Sequence, residues 1–490
     1  MGCRGLFPHA AAGPFSGETD VARVAAQPRQ VSLRQPYPCM LTIDIYDFFS
    51  VAQKLPWLVL PANPPCALLN GCDSGWTRRH AVTRRCRRGR LSIKRRQGSH
   101  MKKNQSRSVT RRSSTKAATV LTALALSAAS GIAHADALIG EVAGTKISIF
   151  GILDAGFLYQ SKSGTNGKAK TSMETSGLRQ TVIGFKGERD LEDGLKAFFN
   201  LEAHFDTNNG MFHGSGDADG TGSPLFRRQA NIGVSGDWGS VTLGRQYGPA
   251  LLAHIGTEPR AFKEQFSNLY AWAYNQYAAT AGAVGTERNT NNDVGIFFNN
   301  AVQYRHTLGP VNFGVLWALG GKSGSTTNNS AWALGATYTG PVTLSASYQV
   351  IKDEDTCNNN VKHGGVGIAV PYGPFTFKAN YLNAKNETRT GADVSDVGAF
   401  GLGVDWQWHP KNTATLAYYN NKDDRNRNDK TTNIVISNDY AVRPDTTLYV
   451  QMAHIDAGSA ATIKTSIVAA GIPAVGESAT LLNVGLNFAF

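Results

Sequence analysis

The sequence predicts an all-β chain, a sixteen-stranded antiparallel transmembrane β-barrel with an inward-folded third loop. Three observations predict it. Apolar and small polar residues alternate with period 2, a turn signal recurs about every 34 residues, and no run of 18 apolar residues follows Asp136.

The alternation is clearest after each proline-bearing turn. Val311, Phe313, Val315 and Trp317 follow Gly309-Pro310, interleaved with Asn312 and Gly314. Val342, Leu344, Ala346, Tyr348 and Val350 follow Gly340-Pro341, against Thr343, Ser345, Ser347 and Gln349. Phe375, Phe377, Ala379 and Tyr381 follow Gly373-Pro374; Ala414, Leu416 and Tyr418 follow His409-Pro410; Leu448, Val450 and Met452 follow Arg443-Pro444. Period 2 with polar residues on the second face is the signature of a strand with one apolar side.

The turn prolines stand at 310, 341, 374, 410 and 444, spacings of 31, 33, 36 and 34. Two strands of about ten residues, one tight turn and one longer loop fill that period. The longer loops are expected in the polar stretches 322–329, 353–360, 385–396 and 421–432. Tyr304, Tyr338, Tyr381 and Tyr440 are expected at strand ends, where an interfacial girdle would sit. Sixteen candidate strands run from 145–159 to 479–490, an even number as hairpin closure requires. Sixteen strands leave an aqueous lumen, and inner faces of Ser, Thr, Asn, Gln and Gly make it wet.

One connection is longer. About fifty residues separate Gln246 from Asn299, and they carry Phe262, Phe266, Tyr270, Trp272, Tyr274 and Tyr277. Aromatic side chains in such number favour a loop folded back against the inner wall over one held in solvent; a short helix on the outer rim is the alternative.

Charge locates the domains. The chain carries +13, but residues 1–135 hold 21 Lys+Arg against 5 Asp+Glu, while 136–490 hold 28 against 31. The basic character belongs to the leader, so no nucleic-acid surface is implied. A positive region opens at Met101 with Lys102, Lys103, Arg107, Arg111, Arg112 and Lys116. An apolar segment 117–126 (AATVLTALAL) and Ala133-His134-Ala135 complete a secretory signal over 101–135. Asp136 is the expected mature start and 136–490 the barrel. Residues 1–100, rich in Arg, Pro and Cys, read as upstream or disordered sequence. Cys3, Cys39, Cys66, Cys72 and Cys86 fall there, and Cys357 alone lies beyond, without metal-ligand spacing. No cofactor or metal is expected. An enzymatic barrel would need a nucleophile constellation, yet His204, His213, His254, His306 and His363 are scattered without one.

Five segments resemble one family, the trimeric general porins of Gram-negative outer membranes: 149–156 (IFGILDAG), 184–196 (GFKGERDLEDGLK), 226–247 (FRRQANIGVSGDWGSVTLGRQY), 299–304 (NNAVQY), and the C-terminal Val484, Leu486, Phe488 and Phe490 at period 2. The resemblance spans 136–490. It implies an exported homotrimer set in outer-membrane lipid and lipopolysaccharide, inserted by the barrel-assembly machinery through a terminal signal at Phe488 and Phe490, and passing ions and small hydrophilic solutes. A solute-specific channel is the alternative. It further implies a constriction at the loop 247–298, where basic wall residues face acids on the loop. Arg228 matches one basic arm and Arg288 is the candidate after the loop, with Glu258 and Glu264 the acidic candidates. Arg260 and Lys263 beside them complicate the sign. Arg245 is the candidate trimer contact. The family usually has arginine where this chain has Val182, which leaves ion preference open. Lys186 shares pleat parity with Gly184 and is expected on the inner face, whereas Arg179 has the opposite parity.

Overall fold

The computed structural model describes residues 137–163, 167–213, 224–273, 289–293, 295–461 and 476–490. The expectations for residues 1–100 and for the signal 101–135, and those for Arg288, Tyr274 and Tyr277, lie outside them. Nineteen strands among the described residues form one sheet. They are β1 Ala137–Val142, β2 Thr145–Ser163, β3 Lys168–Thr175, β4 Val182–Asp190, β5 Lys196–His204, β6 Gln229–Gly236 and β7 Gly239–Tyr247. Next come β8 Asn292–Asp293, β9 Phe297–Leu308, β10 Val311–Ala318, β11 Ala331–Thr339, β12 Thr343–Lys352 and β13 Asn359–Tyr372. The chain ends with β14 Phe375–Glu387, β15 Asp393–His409, β16 Asn412–Asp423, β17 Lys430–Arg443, β18 Thr446–Ala457 and β19 Ser478–Ala489. Two short helices, α1 Pro249–His254 and α2 Asn268–Ala273, lie in the long connection.

Every pairing is antiparallel, and β19 closes the sheet on β2, with Leu481 opposite Gln160 and Ala489 opposite Ile152. β3 pairs with the second half of β2 and β4 with its first half, so they are one barrel strand broken over 176–181. With β1 and β8 as short accessory strands, the barrel has sixteen, as the sequence predicts. Phe490 adds two backbone hydrogen bonds to Gly151, of 2.8 and 3.0 Å, at the seam.

The two faces separate as the alternation requires. On β18, Leu448, Val450 and Met452 are exposed while Tyr449, Gln451 and Ala453 are buried; β19 exposes Leu482, Val484, Leu486 and Phe488. A bilayer covers this outer stripe, and the opposite face turns to the lumen. The prolines fall in the short turns, where Gly309 and Gly373 take φ of 55° and 57°, open to glycine at little cost. Exposed Trp406, Trp408 and Tyr440 sit near those turns. Tyr381 does not join them. It lies mid-strand, opposite Val366 and Phe400.

Two expectations change. The loops expected over 385–396 and 421–432 shrink to 388–392 and 424–429, because β14 to β17 run on past the apolar stripe with polar side chains on both faces. The inner face is also not uniformly polar. Leu316, Ala333, Ile351, Val361, Leu382 and Val397 form an apolar sector of the wall, packed against Leu251, Leu269, Trp272 and Phe298.

Candidate pore constriction

The described part of the connection between β7 and β9 contacts one strand after another. Pro249 opens α1, where the missing amide of a first-turn proline costs nothing. A Cβ at Gly335 would overlap the Pro249 carbonyl oxygen, and one at Gly314 would come within 2.8 Å of its ring. His254, wholly buried, bonds Ser345 Oγ at 2.8 Å and Ser347 Oγ at 2.7 Å; a Cβ at Gly365 would meet its ring at 2.7 Å. Pro259 lies over Gly403 on β15, where a Cβ would come within 2.7 Å. The lumen glycines of β10, β11, β13 and β15 are therefore a track cut for this segment.

Beyond α1 the contacts become ionic. Tyr419 donates its hydroxyl to Glu258 Oε1 at 2.6 Å, and the other oxygen accepts the amides of Arg260 at 2.7 Å and Phe262 at 3.0 Å. The Arg260 guanidinium, fully buried, donates to Gln451, to Ser437 Oγ at 3.4 Å and to the Gln265 carbonyl at 3.1 Å. Lys263 pairs with Asp439 at 2.8 Å.

The far anchor is the break in the second barrel strand. The carboxylate of Asp154 accepts the amides of Gly177 at 2.8 Å, Leu178 at 3.1 Å and Arg179 at 3.0 Å, which folds 176–181 out of the ladder. Tyr449 and Asn487 hold the same carboxylate at 2.8 and 3.0 Å. The freed carbonyls of Leu178 and Gly177 then accept the amides of Glu264 and Gln265, and Gln180 Nε2 donates to Glu264 Oε1 at 3.0 Å. Sequence parity failed for Arg179 because that residue is on no strand. Released by the break, it is open to water and within electrostatic reach of Asp439 on the inner face of β17.

The basic candidates sit as follows. Arg228 precedes β6, and its Nε donates to Glu202 Oε2 at 3.1 Å, both side chains nearly covered. Its other arm reaches the Tyr247 hydroxyl, and the guanidinium lies 5.4 Å from the Tyr247 ring centroid and 5.7 Å from that of Phe297. Gln229 also donates to Glu202, at 2.5 Å. Lys186 shares the inner face with Gly184 and stands over the Phe150 ring at 4.3 Å, nearer the short-turn end. Val182 packs with Ile152 and Ala489 in a small apolar cluster. Arg245 points the other way, on the side of exposed Leu243, and binds Asn299 Oδ1 at 2.6 Å and the Arg227 carbonyl.

Glu258 and Glu264 are both buried, Glu258 completely. They act first as anchors of the segment, and sequence reasoning missed their partners Tyr419 and Gln180 because 161 and 84 residues separate them. Glu202, the partner of Arg228, was missed as well. Its signal was an acidic residue at inward parity directly across from Gln229.

A family model described as Gram-negative porin matches residues 118–460. The chain belongs to the Gram-negative porin family. Among curated relatives, outer membrane porin protein 32 of Delftia acidovorans is 31% identical over 192 residues, 38% of this chain and 44% of that protein. Outer membrane porin N of Escherichia coli is 26% identical over 246 residues, 49% of this chain and 58% of the relative. The matches thus span roughly half the length of these porins. Among solved structures, an anion-selective porin from Comamonas acidovorans superposes with a TM-score of 0.58 at 22% identity, over 71% of this chain and all of the other. That likeness shows the shared barrel fold.

Proposed function

We propose that this porin is a passive diffusion channel for ions and small hydrophilic solutes, narrowed where the segment 247–298 folds into the lumen. The observation that carries the reading is the path of that segment. The wall residues its described part contacts, from Gly314 through Ser345, Gly403, Tyr419 and Gln451 to Gly177, lie on the face opposite the exposed apolar stripe or in the inward break. A segment bonded to so many inner faces of a closed barrel reduces the open cross-section.

Charge at this level is largely compensated. Arg228 is matched by Glu202, Lys263 by Asp439 and Lys378 by Asp405 at 2.7 Å. Alternating paired charges favour polar solutes of either sign with weak ion selectivity. Arg179 and Lys186 give the wall a basic bias in the direction of the anion-selective neighbour. Residues 101–135 are proposed as a cleaved export signal, Arg245 as a trimer contact, and Phe488 with Phe490 as the assembly signal.

Planar-bilayer recording of the refolded protein tests the reading. Large ohmic steps arriving in threes are expected. Small currents blocked by one solute would favour a dedicated channel, and no conductance would overturn the proposal.

A further inference from the structure

At the end of β5 the chain turns back on itself. The His213 amide donates to the His204 carbonyl at 3.0 Å, and the Asp206 amide to the Met211 carbonyl at 2.9 Å, with Phe205 bridged to Phe212. This register sets His213 directly across from His204. Asp206, two residues beyond His204, shares their face of the two-stranded ribbon. Two of the scattered histidines of the sequence are here brought together by a hairpin.

One potential ligand atom from each of His204, Asp206 and His213 lies within 4.8 Å of the other two. The imidazoles stack with centroids 4.1 Å apart at 15°. His213 Nδ1 is 2.8 Å from Asp206 Oδ1. That contact brings two potential ligand atoms together, and an ion bound there takes the place of the proton the imidazole and the carboxylate share. The second observation is independent. His204 is only 4% exposed, and its Nε2 has no hydrogen-bond partner among the described residues. A buried ring nitrogen left without a partner is costly unless something occupies it.

We propose that His204, Asp206 and His213 form a site for a divalent transition-metal ion of the zinc type. Two imidazoles and a carboxylate are borderline ligands that suit such an ion and not Ca²⁺ or Mg²⁺. Bonds of about 2.0–2.1 Å place tetrahedral ligands about 3.4 Å apart, and atoms no more than 4.8 Å apart reach that spacing with shifts of about 1.4 Å or less, within the reach of side-chain rotation at the half-buried His213. A fourth position stays with water. The neighbouring cations temper affinity without forbidding binding. Arg228 is neutralised by Glu202 at 3.1 Å, and Arg227 is turned to the His213 carbonyl at 2.9 Å. Micromolar affinity is the expectation.

The test uses the full-length protein refolded in detergent, stripped with a chelator and titrated with Co²⁺ by visible absorption, then with Zn²⁺ by calorimetry. One ion per chain with a four- or five-coordinate Co²⁺ band is expected. His213→Ala should weaken binding at least 100-fold and Asp206→Asn 10- to 100-fold. His454→Ala, on the outer face of β18, should leave it unchanged. Both hairpin variants are checked for native barrel mobility on gels, and Asp206→Asn carries the test if the histidine variant fails to fold. Wild-type protein that binds Co²⁺ no more tightly than a folded hairpin variant overturns the proposal.

Discussion

Replacing Arg228 by alanine unmasks Glu202, because the two are a matched pair 3.1 Å apart with side chains only 6% and 7% exposed. The carboxylate keeps two donors, Gln229 Nε2 at 2.5 Å and Asn200 Nδ2 at 3.1 Å, so it stays partly solvated by protein. One uncompensated negative charge then acts on the pore. A unit charge about 6 Å from a passing ion is worth about 0.7 kcal/mol in water, favourable to a cation and unfavourable to an anion. The two effects separate cation from anion by about 1.4 kcal/mol, and screening at 0.1 M salt trims this, for a roughly four- to tenfold change in permeability ratio. Arg228→Ala should therefore move the reversal potential under a salt gradient toward cations, and Glu202→Gln toward anions by a similar amount. The double variant restores neutrality and should lie near the wild type. Breaking the covered pair also costs stability, about 3 kcal/mol, read as a lower melting temperature. If both single variants shift the potential the same way, or neither shifts it, the pair does not act on the permeation path.

Three further outcomes follow from the anchors. Asp154→Asn gives up charge-assisted bonds to the amides of 177–179, so thermal unfolding should show a loss of about 3 kcal/mol and protease should cut at 176–181; a loss below about 0.5 kcal/mol would show that the break does not depend on this carboxylate. Gly335→Val drives a side chain into the Pro249 carbonyl, at a cost on the order of 1–3 kcal/mol, and should raise single-channel conductance by displacing α1; unchanged conductance means the helix does not narrow the pore. Burial pushes the His254 imidazole down from 6.5 to about 3, so it stays neutral when docked. Its contribution is present above pH 6.5 and is lost as pH falls toward 3, where the free ring takes a proton that the docked ring resists. Conductance noise should grow over that window in the wild type and not in His254→Gln.

The sequence by itself determined the barrel. Period-2 alternation fixes which side chain faces lipid on each strand, and prolines at 310 to 444 fix where the short turns fall, because both are local properties of the chain. It also located the long connection. The tertiary structure alone decided what the charged residues meet. Glu202 neutralises Arg228, Tyr419 and Gln180 take up the acids of the loop, and Asp154 breaks a strand so that Arg179 escapes its parity. The contacts of the loop acids join positions 161 and 84 residues apart, and even Glu202 and Arg228, 26 apart, meet only through the register of β5 on β6. The hairpin that gathers His204, Asp206 and His213 is local, but its register comes from a turn the sequence does not announce. Periodicity reports which face a residue takes; only closure of the sheet decides who stands across the lumen from it.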